Sequence, residues 1–362
     1  MNPPALRVLV SDTHDPWFNL SIENWIFRDM DPLQHVLFLW RNRESVVIGR
    51  FQNPWTECRV LEMERDGISL VRRQSGGGAV YQDLNNSNFT FMAGRDFYSR
   101  EDNFAVVLGA LEKFGIKAEK SGRNDILVEG RKVSGSAFKN SSDRSFHHGT
   151  MLIDADLEKL TRYLNPGAAR IETKGIVSVR SQVANLREFN PAVDHDAFCT
   201  AMVEEFFRFH GVTCAVEHLV REDLELLDDV RRYYEMLRSW DWRFGKTPKF
   251  SRQVSVGFAW GGIELFLDCH NGIIEDIRLF SEALDAGLIE TVRGSLIGIR
   301  YSPGDVARAL ADTAAGQAGA AASEGLQPGG TGEFHRKLQE LARRIPEELS
   351  RYGGSGDCEE VP

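Results

Sequence analysis

The chain has 362 residues, of which 42% are hydrophobic and 27% are charged, and its formal net charge is −10. This composition is that of a globular protein with enough length for two domains, and its acidic balance argues against a general nucleic-acid binder. No apolar run approaches the roughly 20 residues of a membrane helix, and the first residues show neither a secretory nor a transit pattern. The five cysteines form no CxxC pair and no metal-ligand spacing, which fits a reducing compartment. We therefore expect a cytoplasmic protein that binds neither nucleic acid nor membranes.

Short apolar runs in the first 155 residues predict strands, and apolar residues at helical spacing predict helices between them. The predicted helices lie at 16–30 (beginning after Asp15), 56–66, 102–114 and 156–164. The predicted strands lie at 6–11, 36–40, 45–49, 69–71, 88–92, 116–120, 123–128, 131–137 and 151–153. The second and third of these strands are expected to form a hairpin. On the strand at 131–137, alternation places Lys132, Ser134 and Ser136 on one face.

The pattern changes beyond residue 250, which predicts a second domain. Strands joined by Gly-Gly and Asn-Gly turns predict a β-meander over 253–279. Helical segments follow at about 283–296 and 303–312. The segment 314–332 is rich in alanine, glycine and serine, and its composition predicts a disordered insertion.

Three consecutive glycines follow two arginines in the stretch Arg72–Asp83. Glycine permits close backbone approach, and its N–H groups can face an anion. Two guanidinium groups beside such a loop favour binding of a phosphate or a carboxylate ester. A tight turn with solvated arginines explains this stretch alone equally well.

Lys132 is the candidate cation that completes such a site. It lies among small residues, and an ammonium group can hold a carboxylate and a phosphate oxygen together; a solvated hairpin lysine is the alternative. Asn124 and Asp125 fit a ribose, a metal-bound phosphate or an adenine, and equally a turn cap. His147 and His148 are adjacent, so they face opposite sides of a strand and do not predict a zinc site.

Taken together, these motifs resemble the lipoate–protein ligase A family of the biotin/lipoate ligase superfamily. The resemblance covers most of residues 6–300 and extends to further segments, namely Val46–Arg50, Gln52–Trp55, Phe146–Thr150 and Lys174–Ser181. It implies an α+β fold, with a large mixed-sheet catalytic domain flanked by helices and a small α/β accessory domain. The expected domains are a catalytic domain at 1–246 with its core at about 31–212, an accessory domain at 250–350 with the insertion at 314–332, and a tail at 351–362.

The resemblance also implies a two-step reaction. Lipoate or octanoate reacts with ATP and Mg²⁺ to give an acyl-adenylate, and the acyl group then passes to a lysine of an apo lipoyl domain. Such acceptors are the E2 subunits of 2-oxoacid dehydrogenases and the glycine cleavage H protein. The reaction needs fixed cations and backbone N–H groups but no enzymic nucleophile. We expect a monomer.

The residue roles that the resemblance implies fall into three groups, and Lys132 is the catalytic residue among them. The adenylate would contact Arg73, Gly78, Ala79, Val80, Tyr81, Asn124, Asp125 and Lys132. Lipoate would contact Ser75, Gly76, Gly77, Lys132 and His148. A loop that closes over the adenylate would include Lys174, Gly175 and Arg180, and Mg²⁺ would arrive with ATP, with Asp125 as its candidate ligand.

Two positions depart from the family pattern, and three rival functions remain. Gln82 stands where the family usually has histidine, and Lys139 stands where it often has arginine, which loses a bidentate fork. An acyl-carrier-dependent octanoyltransferase would need a cysteine in a Pro-Cys-Gly setting, where this chain has Asn165-Pro166-Gly167. The other rivals are a transferase that uses only preformed acyl-adenylate and a non-catalytic lipoyl-adenylate sensor.

Overall fold

The computed structural model describes residues 5–122, 124–164, 171–173, 182–280, 286–323 and 328–350. The chain forms two compact units. The first comprises Met1–Arg50, Glu57–Pro166 and Val177–Arg243, and the second comprises Phe51–Thr56, Gly167–Ile176 and Phe244–Pro362. Within the described ranges, no helix is long and apolar enough to cross a membrane.

The helices and strands are numbered in chain order. The strands are β1 Ala5–Ser11, β2 Gln34–Arg41, β3 Ser45–Ile48, β4 Ser69–Arg72, β5 Val80–Gln82, β6 Asn86–Gly94, β7 Ala118–Lys120, β8 Ile126–Val128, β9 Arg131–Ser134, β10 Ser136–Asn140, β11 Arg144–Leu152, β12 Ile171–Thr173, β13 Val216–Leu219, β14 Phe250–Phe258, β15 Gly261–His270 and β16 Ile273–Phe280. The α-helices are α1 Pro16–Asp29, α2 Pro54–Glu57, α3 Val60–Arg65, α4 Arg100–Glu112, α5 Leu157–Tyr163, α6 His195–His210, α7 Glu222–Leu226, α8 Asp228–Arg238, α9 Trp240–Arg243, α10 Ala286–Leu296, α11 Pro303–Ser323 and α12 Pro328–Ser350.

A mixed sheet forms the centre of the first unit. Six of the described strands build it in the order β10-β11-β6-β2-β1-β13, with β1 parallel to β2 and to β13 and the other pairs antiparallel. Leu37 and Phe91 face a core that includes residues of α4 and α6, whereas Val36 and Phe38 face a core that includes residues of α1 and α8. Helices thus cover both faces, which explains why β2 reads as a continuous apolar run. The predicted α+β fold with a large mixed sheet is confirmed.

Helix α1 begins as its sequence predicts. The Asp15 carboxylate accepts hydrogen bonds from the backbone N–H groups of Trp17, at 3.0 Å, and Phe18, at 3.3 Å. These bonds satisfy two of the N–H groups that have no partner in the first turn, and Pro16 occupies the first helical position. The cap fixes the start of the helix that carries Leu20, one of the residues that line the cavity described below.

The predicted hairpin of strands 36–40 and 45–49 is wrong. Strand β2 pairs with β1 and β6, whereas β3 pairs in a separate three-stranded sheet, parallel to β4 and antiparallel to β5. Both runs are apolar and close in sequence, so local pattern alone favoured pairing them. Their partners instead come from more distant segments of the chain.

The single strand predicted at 131–137 is two strands in two sheets. Strand β9 pairs with β8, and β10 forms an edge of the six-stranded sheet. The chain changes sheet at Gly135, where a Cβ atom would lie 3.1 Å from Nζ of Lys132. Consequently Ser134 is fully buried, whereas Ser136 begins a different strand and lines the cavity described below.

The second unit contains the predicted meander. Strands β14, β15 and β16 are antiparallel, β12 pairs with β14, and alternate residues of the meander are buried, as in Val254–Val256 and Ile263–Leu267. The predicted disorder at 314–332 is wrong, because α11 and α12 run through most of this segment. Alanine is the strongest helix former, so its abundance here supports helix rather than disorder. Residues 324–327 and the predicted tail lie outside the described residues.

Candidate active site

The first unit contains a cavity of about 290 Å³, close to the size of a small-molecule site. The sequence-predicted residues that line it are Arg73, Gly77, Gly78, Ala79, Val80, Asp125, Lys132 and His148. Other lining residues were not predicted as site residues, and they are Leu20, Trp40, Val47, Gln82, Asn88, Gly135, Ser136, Ala137, Gly149 and Thr150. The glycine loop and Lys132, which are far apart in sequence, therefore meet at one site.

Arg73 holds the glycine loop in shape. Its guanidinium group is buried and donates to backbone oxygens of Val47 at 3.0 Å, Gly76 at 2.6 Å and Gly78 at 2.8 Å. Its Nε also donates to Oγ of Ser75 at 3.0 Å. Burial lowers the pKa of Arg73 to about 10, which leaves it charged at neutral pH. Arg73 therefore lines the cavity and at the same time holds the glycine loop through these donors.

Arg72, unlike Arg73, does not line the cavity. It is fully buried and donates from Nε and Nη2 to the backbone oxygen of Arg243, at 3.0 and 2.8 Å. Its Nη1 donates to the backbone oxygen of Arg50 at 3.0 Å. Burial first, and the nearby charge of Arg50 second, lower the pKa of Arg72 to about 9. Arg73 therefore holds the glycine loop, whereas Arg72 contacts the backbone oxygens of Arg50 and Arg243.

The backbone packing of the loop requires glycine at two positions, Gly77 within the loop and Gly49 outside it. Gly77 has a φ of +91°, a backbone conformation that residues with a side chain rarely adopt. A Cβ atom there would lie 2.8 Å from Nη2 of Arg73. A Cβ atom on Gly49 would overlap the carbonyl oxygen of Gly77. The backbone of Gly49 thus packs directly against the backbone of the glycine loop.

Lys132 and Asp125 form an ion pair at the cavity. Nζ of Lys132 lies 2.8 Å from Oδ1 of Asp125, and their side chains are 27% and 18% exposed. The absence of a side chain at Gly135 leaves room for the lysine stem. The predicted partner Asn124 is not brought to the cavity: it occupies a turn with a φ of +62°, and its N–H donates to the Ser121 carbonyl. Its commoner role, as a turn residue, is the one observed.

A buried hydrogen-bonded series lies behind the loop. Nε2 of His148 lies 2.8 Å from Oγ of Ser75, and its Nδ1 lies 2.8 Å from Oε1 of Glu23. Oε1 of Glu23 also accepts from the Thr90 hydroxyl at 2.7 Å. Ser75 therefore fixes the loop to His148, and His148 lines the cavity. Gly76, which was predicted to contact lipoate, does not line the cavity. Glu23 was missed, although a carboxylate among the apolar positions of α1 is a signal that something buried pairs with it.

Apolar side chains form one wall of the cavity, and they come from three different elements: Leu20 from α1, Trp40 from β2 and Val47 from β3. This wall suits an acyl chain, whereas Lys132 and Asp125 supply charge elsewhere in the same cavity. The cavity can therefore hold a ligand with an apolar part and an anionic part.

Tyr81, unlike its neighbours Val80 and Gln82, does not line the cavity. Its ring is buried 6.0 Å from that of Tyr163, and its hydroxyl donates to Oε1 of Glu44 at 3.4 Å. Burial raises the pKa of this hydroxyl above its ordinary value. Strand β5 alternates, so Val80 faces the cavity while Tyr81 faces the core. The predicted loop residues Lys174, Gly175 and Arg180 lie outside the described residues.

Lys139, one of the two departures, lies beside the loop. Its Nζ donates to Oε1 of Gln74 at 2.5 Å and lies 5.0 Å from the ring centroid of Phe27. Burial lowers the pKa of this ammonium group. Lys139 thus contacts the residue that precedes Ser75, rather than the cavity.

His147 lies on the opposite face of β11 from His148. Its Nε2 lies 2.9 Å from Oγ of Ser136, and its ring packs among four phenylalanines, at positions 89, 91, 104 and 138. Burial is the main cause that lowers its pKa to about 3. His147 is therefore neutral when folded, and only the unfolded chain takes up its proton between about pH 6.5 and pH 3.

This difference in proton uptake predicts a pH-dependent stability. Lowering the pH from 7.5 to 5.5 is expected to reduce the free energy of unfolding by about 1.4 kcal/mol through His147 alone. Urea unfolding at the two pH values measures this change. A His147→Gln variant, which does not titrate, should lose that part of the pH dependence. An identical dependence in the variant would show that His147 does not contribute.

Comparisons with known proteins identify related sequences. The sequence matches the family described as lipoyl protein ligase A/B catalytic domain over residues 15–207, and that described as bacterial lipoate protein ligase C-terminus over residues 247–324. It is 47% identical over 306 residues to a lipoate-protein ligase A of Psychrobacter cryohalolentis, a match that covers 83% of this chain and 90% of that protein.

Solved structures show the same likeness. LipL1 of P. falciparum, in complex with lipoate, is 32% identical with a TM-score of 0.61, covering 95% of this chain and 100% of that one. A bipartite lipoate protein ligase of Thermoplasma acidophilum, described with its E2 lipoyl domain, is 22% identical with a TM-score of 0.56, covering 66% and 96%; that likeness shows the fold. Because the catalytic-domain match spans more than half of the sequence and a relative is 47% identical over most of its length, the chain belongs to the lipoate–protein ligase A family of ATP-dependent ligases.

Proposed function

We propose that the cavity binds lipoyl-adenylate, with the acyl chain against the apolar wall and the phosphate at Lys132. The observation that carries this proposal is the position of the Lys132 ammonium, in the same cavity as Leu20, Trp40 and Val47. An apolar wall alone would fit many ligands, and a lysine alone would fit many anions. The combination with a glycine loop suits an acyl group joined to a phosphate.

The proposed reaction has two steps, the adenylation of lipoate and the transfer of the acyl group to a lysine. A carboxylate oxygen of lipoate attacks the α-phosphorus of MgATP, the bond to the β-phosphate breaks, and pyrophosphate leaves. The amine of the acceptor lysine then attacks the acyl carbon, AMP leaves with the bonding electron pair, and the amine proton passes to solvent. Lys132 donates to the acyl carbonyl and phosphate oxygens, where negative charge develops in both steps.

The neighbours of Lys132 position the reactants. Asp125 holds the ammonium at 2.8 Å before the ligand arrives. Its carboxylate lines the cavity, and carboxylate oxygens suit Mg²⁺, so Asp125 would also hold the Mg²⁺ that ATP carries. Arg73 lines the cavity and also fixes the loop whose residues Gly77 and Gly78 face the ligand. His148 and Ser75 fix the same loop from the acyl side.

A cysteine-dependent acyl transfer has little support at this site. The Cys58 thiol is fully buried, and burial raises its pKa well above the ordinary value. Burial also raises the pKa of Cys199 to about 12. Neither thiol forms appreciable thiolate at neutral pH, and neither lines the cavity. The adenylate route needs no such nucleophile.

The acceptor that we propose is an apo lipoyl domain, of an E2 subunit or of glycine cleavage H protein. The T. acidophilum ligase of the same fold is described with its E2 lipoyl domain, which supports this class of partner. We further propose a cytoplasmic monomer with the catalytic domain at 1–246 and the accessory domain at 250–350. The matches at 15–207 and 247–324 support that division.

ATP–pyrophosphate exchange tests the proposal. In the presence of lipoate or octanoate, the purified protein is expected to exchange labelled pyrophosphate into ATP. With biotin in their place, the exchange should stay at background. The protein should then lipoylate an apo lipoyl domain in the same mixture. Acyl transfer from added lipoyl-adenylate, without exchange from ATP, would instead identify a transferase. Binding of lipoyl-adenylate without either reaction would identify a sensor.

A further inference from the structure

A series of buried polar side chains crosses the first unit and ends at the cavity. The Ser11 hydroxyl donates to Oδ1 of Asn19 at 2.5 Å, and Nδ2 of Asn19 donates to Oδ1 of Asn42 at 2.9 Å. Nδ2 of Asn42 then donates to Oε1 of Gln82 at 2.6 Å, and Nε2 of Gln82 donates to Oδ1 of Asn88 at 2.7 Å. All five side chains are buried. We call this series the amide chain.

The backbone fixes the direction of the amide chain at its far end. Nδ2 of Asn19 also donates to the carbonyl oxygens of Thr13, at 3.2 Å, and Arg41, at 3.0 Å. A carbonyl oxygen only accepts hydrogen bonds, so the NH2 group of Asn19 must face these two oxygens. The two hydrogens of this NH2 group are shared among three oxygens, the third being Oδ1 of Asn42. If Asn42 were turned, its own NH2 group would face that of Asn19, donor against donor, so Oδ1 of Asn42 faces Asn19 and each following amide takes the same orientation.

The consequence appears at the last amide. Asn88 receives its hydrogen bond at Oδ1, so its NH2 group is the end of the chain. Nδ2 of Asn88 is buried and has no hydrogen-bond partner among the residues that the structure describes. Asn88 is only 1% exposed and lines the cavity. A buried donor without an acceptor is unfavourable. Because four other side chains hold the NH2 group of Asn88 in this orientation, we look for its acceptor in a ligand.

The neighbours of Asn88 indicate which part of a ligand it would meet. In the sheet it lies opposite Trp40 on one side and Thr150 on the other, and both also line the cavity. Trp40 belongs to the apolar wall. The backbone N–H of Thr150 donates to the carbonyl oxygen of Gly135 at 3.0 Å, and Lys132 packs against Gly135. Asn88 therefore stands between the acyl side and the phosphate side.

We propose that Nδ2 of Asn88 donates a hydrogen bond to an oxygen of the acyl-phosphate group, and that the amide chain holds the donor in this orientation. This inference rests on the proposed function of the cavity. Asn88 is then a ligand-binding residue, whereas Asn42 and Asn19 are positioning residues that act through it. A donor that is oriented before the ligand arrives needs no rearrangement when charge develops on that oxygen.

Asn88→Asp tests the donor directly, because it keeps the shape and replaces the NH2 group with an acceptor. The affinity for a non-hydrolysable acyl sulfamate of adenosine is expected to fall by about 100-fold, and the exchange rate with lipoate by a similar factor. The control is Asn85→Asp, an identical exchange at an exposed side chain that does not line the cavity. Its affinity should stay within about twofold of the wild type. Wild-type affinity in Asn88→Asp would overturn the proposal.

Asn42→Asp tests the amide chain from outside the cavity. Aspartate has no NH2 group, so Gln82 must turn to donate to it, and Asn88 must turn in response. An acceptor would then face the ligand, and the affinity for the sulfamate is expected to fall by about tenfold in protein that still melts cooperatively. Folded Asn42→Asp with wild-type affinity would overturn the role of the chain. Should this variant not fold, Asn88→Asp still decides.

The inference and the proposed function fail in different ways. Wild-type protein that exchanges no pyrophosphate with lipoate would refute the proposed function. Normal wild-type exchange, together with an unaffected Asn88→Asp variant, would refute only the role of Asn88.

Discussion

Replacing Lys132 with alanine is expected to lower lipoate-dependent pyrophosphate exchange by about 10³-fold. Removal of a fixed donor from the position where negative charge develops typically lowers the rate by about 10²–10³-fold. Here the variant also leaves the Asp125 carboxylate, which lies 2.8 Å from Nζ, without its cation and close to an anionic ligand. Both effects weaken binding of the transition state. Exchange at saturating lipoate and ATP measures the loss.

Lys113→Ala is the matched control for Lys132→Ala. Nζ of Lys113 also forms an ion pair, with Glu204 at 2.6 Å, but at an exposed surface away from the cavity. Surface ion pairs contribute little to stability, so this variant should keep the wild-type rate. Near-normal turnover in Lys132→Ala would remove the lysine from the site. Equal losses in both variants would point to a general effect on the protein.

Gly49→Ala is expected to distort the glycine loop without changing any charged group. The added Cβ would overlap the carbonyl oxygen of Gly77, which is backbone and cannot rotate away. Relief requires movement of the loop that Arg73 holds, at an expected cost of about 1–3 kcal/mol in the free energy of unfolding. Because Gly77 lines the cavity, affinity for lipoyl-adenylate should fall as well. Urea unfolding and ligand titration measure the two effects.

The control for this variant is Gly294→Ala, which adds the same methyl group to α10. Nothing lies within 4 Å of a Cβ atom at Gly294. Alanine is favoured over glycine in a helix by about 1 kcal/mol, so the control should be as stable as the wild type or more so. If Gly49→Ala behaved like the control, the close approach to Gly77 would not constrain the loop.

Much of the fold follows from local sequence pattern. Asp15 followed by proline predicted the start of α1, and it caps that helix. Lys132 and the glycines were predictable as site residues because their types are unusual in their settings. Pairing of β3 was not predictable, since an apolar run does not specify its partner strand.

The structure also shows side-chain contacts that the sequence could not decide. The sequence could not show that Arg73 donates to backbone oxygens of Val47 and of its own loop, because local pattern does not specify which oxygens a guanidinium group meets. Glu23 pairs with His148 across 125 positions. Asn88 lies in a predicted strand, but its unpaired NH2 group depends on a chain that begins at Ser11. Such long-range contacts leave no local trace.

The amide chain also has a consequence for protonation. The residue at position 82 must accept a hydrogen bond from Asn42 and donate one to Asn88, as Gln82 does. A neutral imidazole also has one acceptor and one donor, so glutamine can stand where the family resemblance led us to expect histidine. A histidine that gained a proton would donate on both sides and oppose the donor of Asn42. With glutamine at 82, no member of the chain titrates near neutral pH, and the orientation of Asn88 is insensitive to acid.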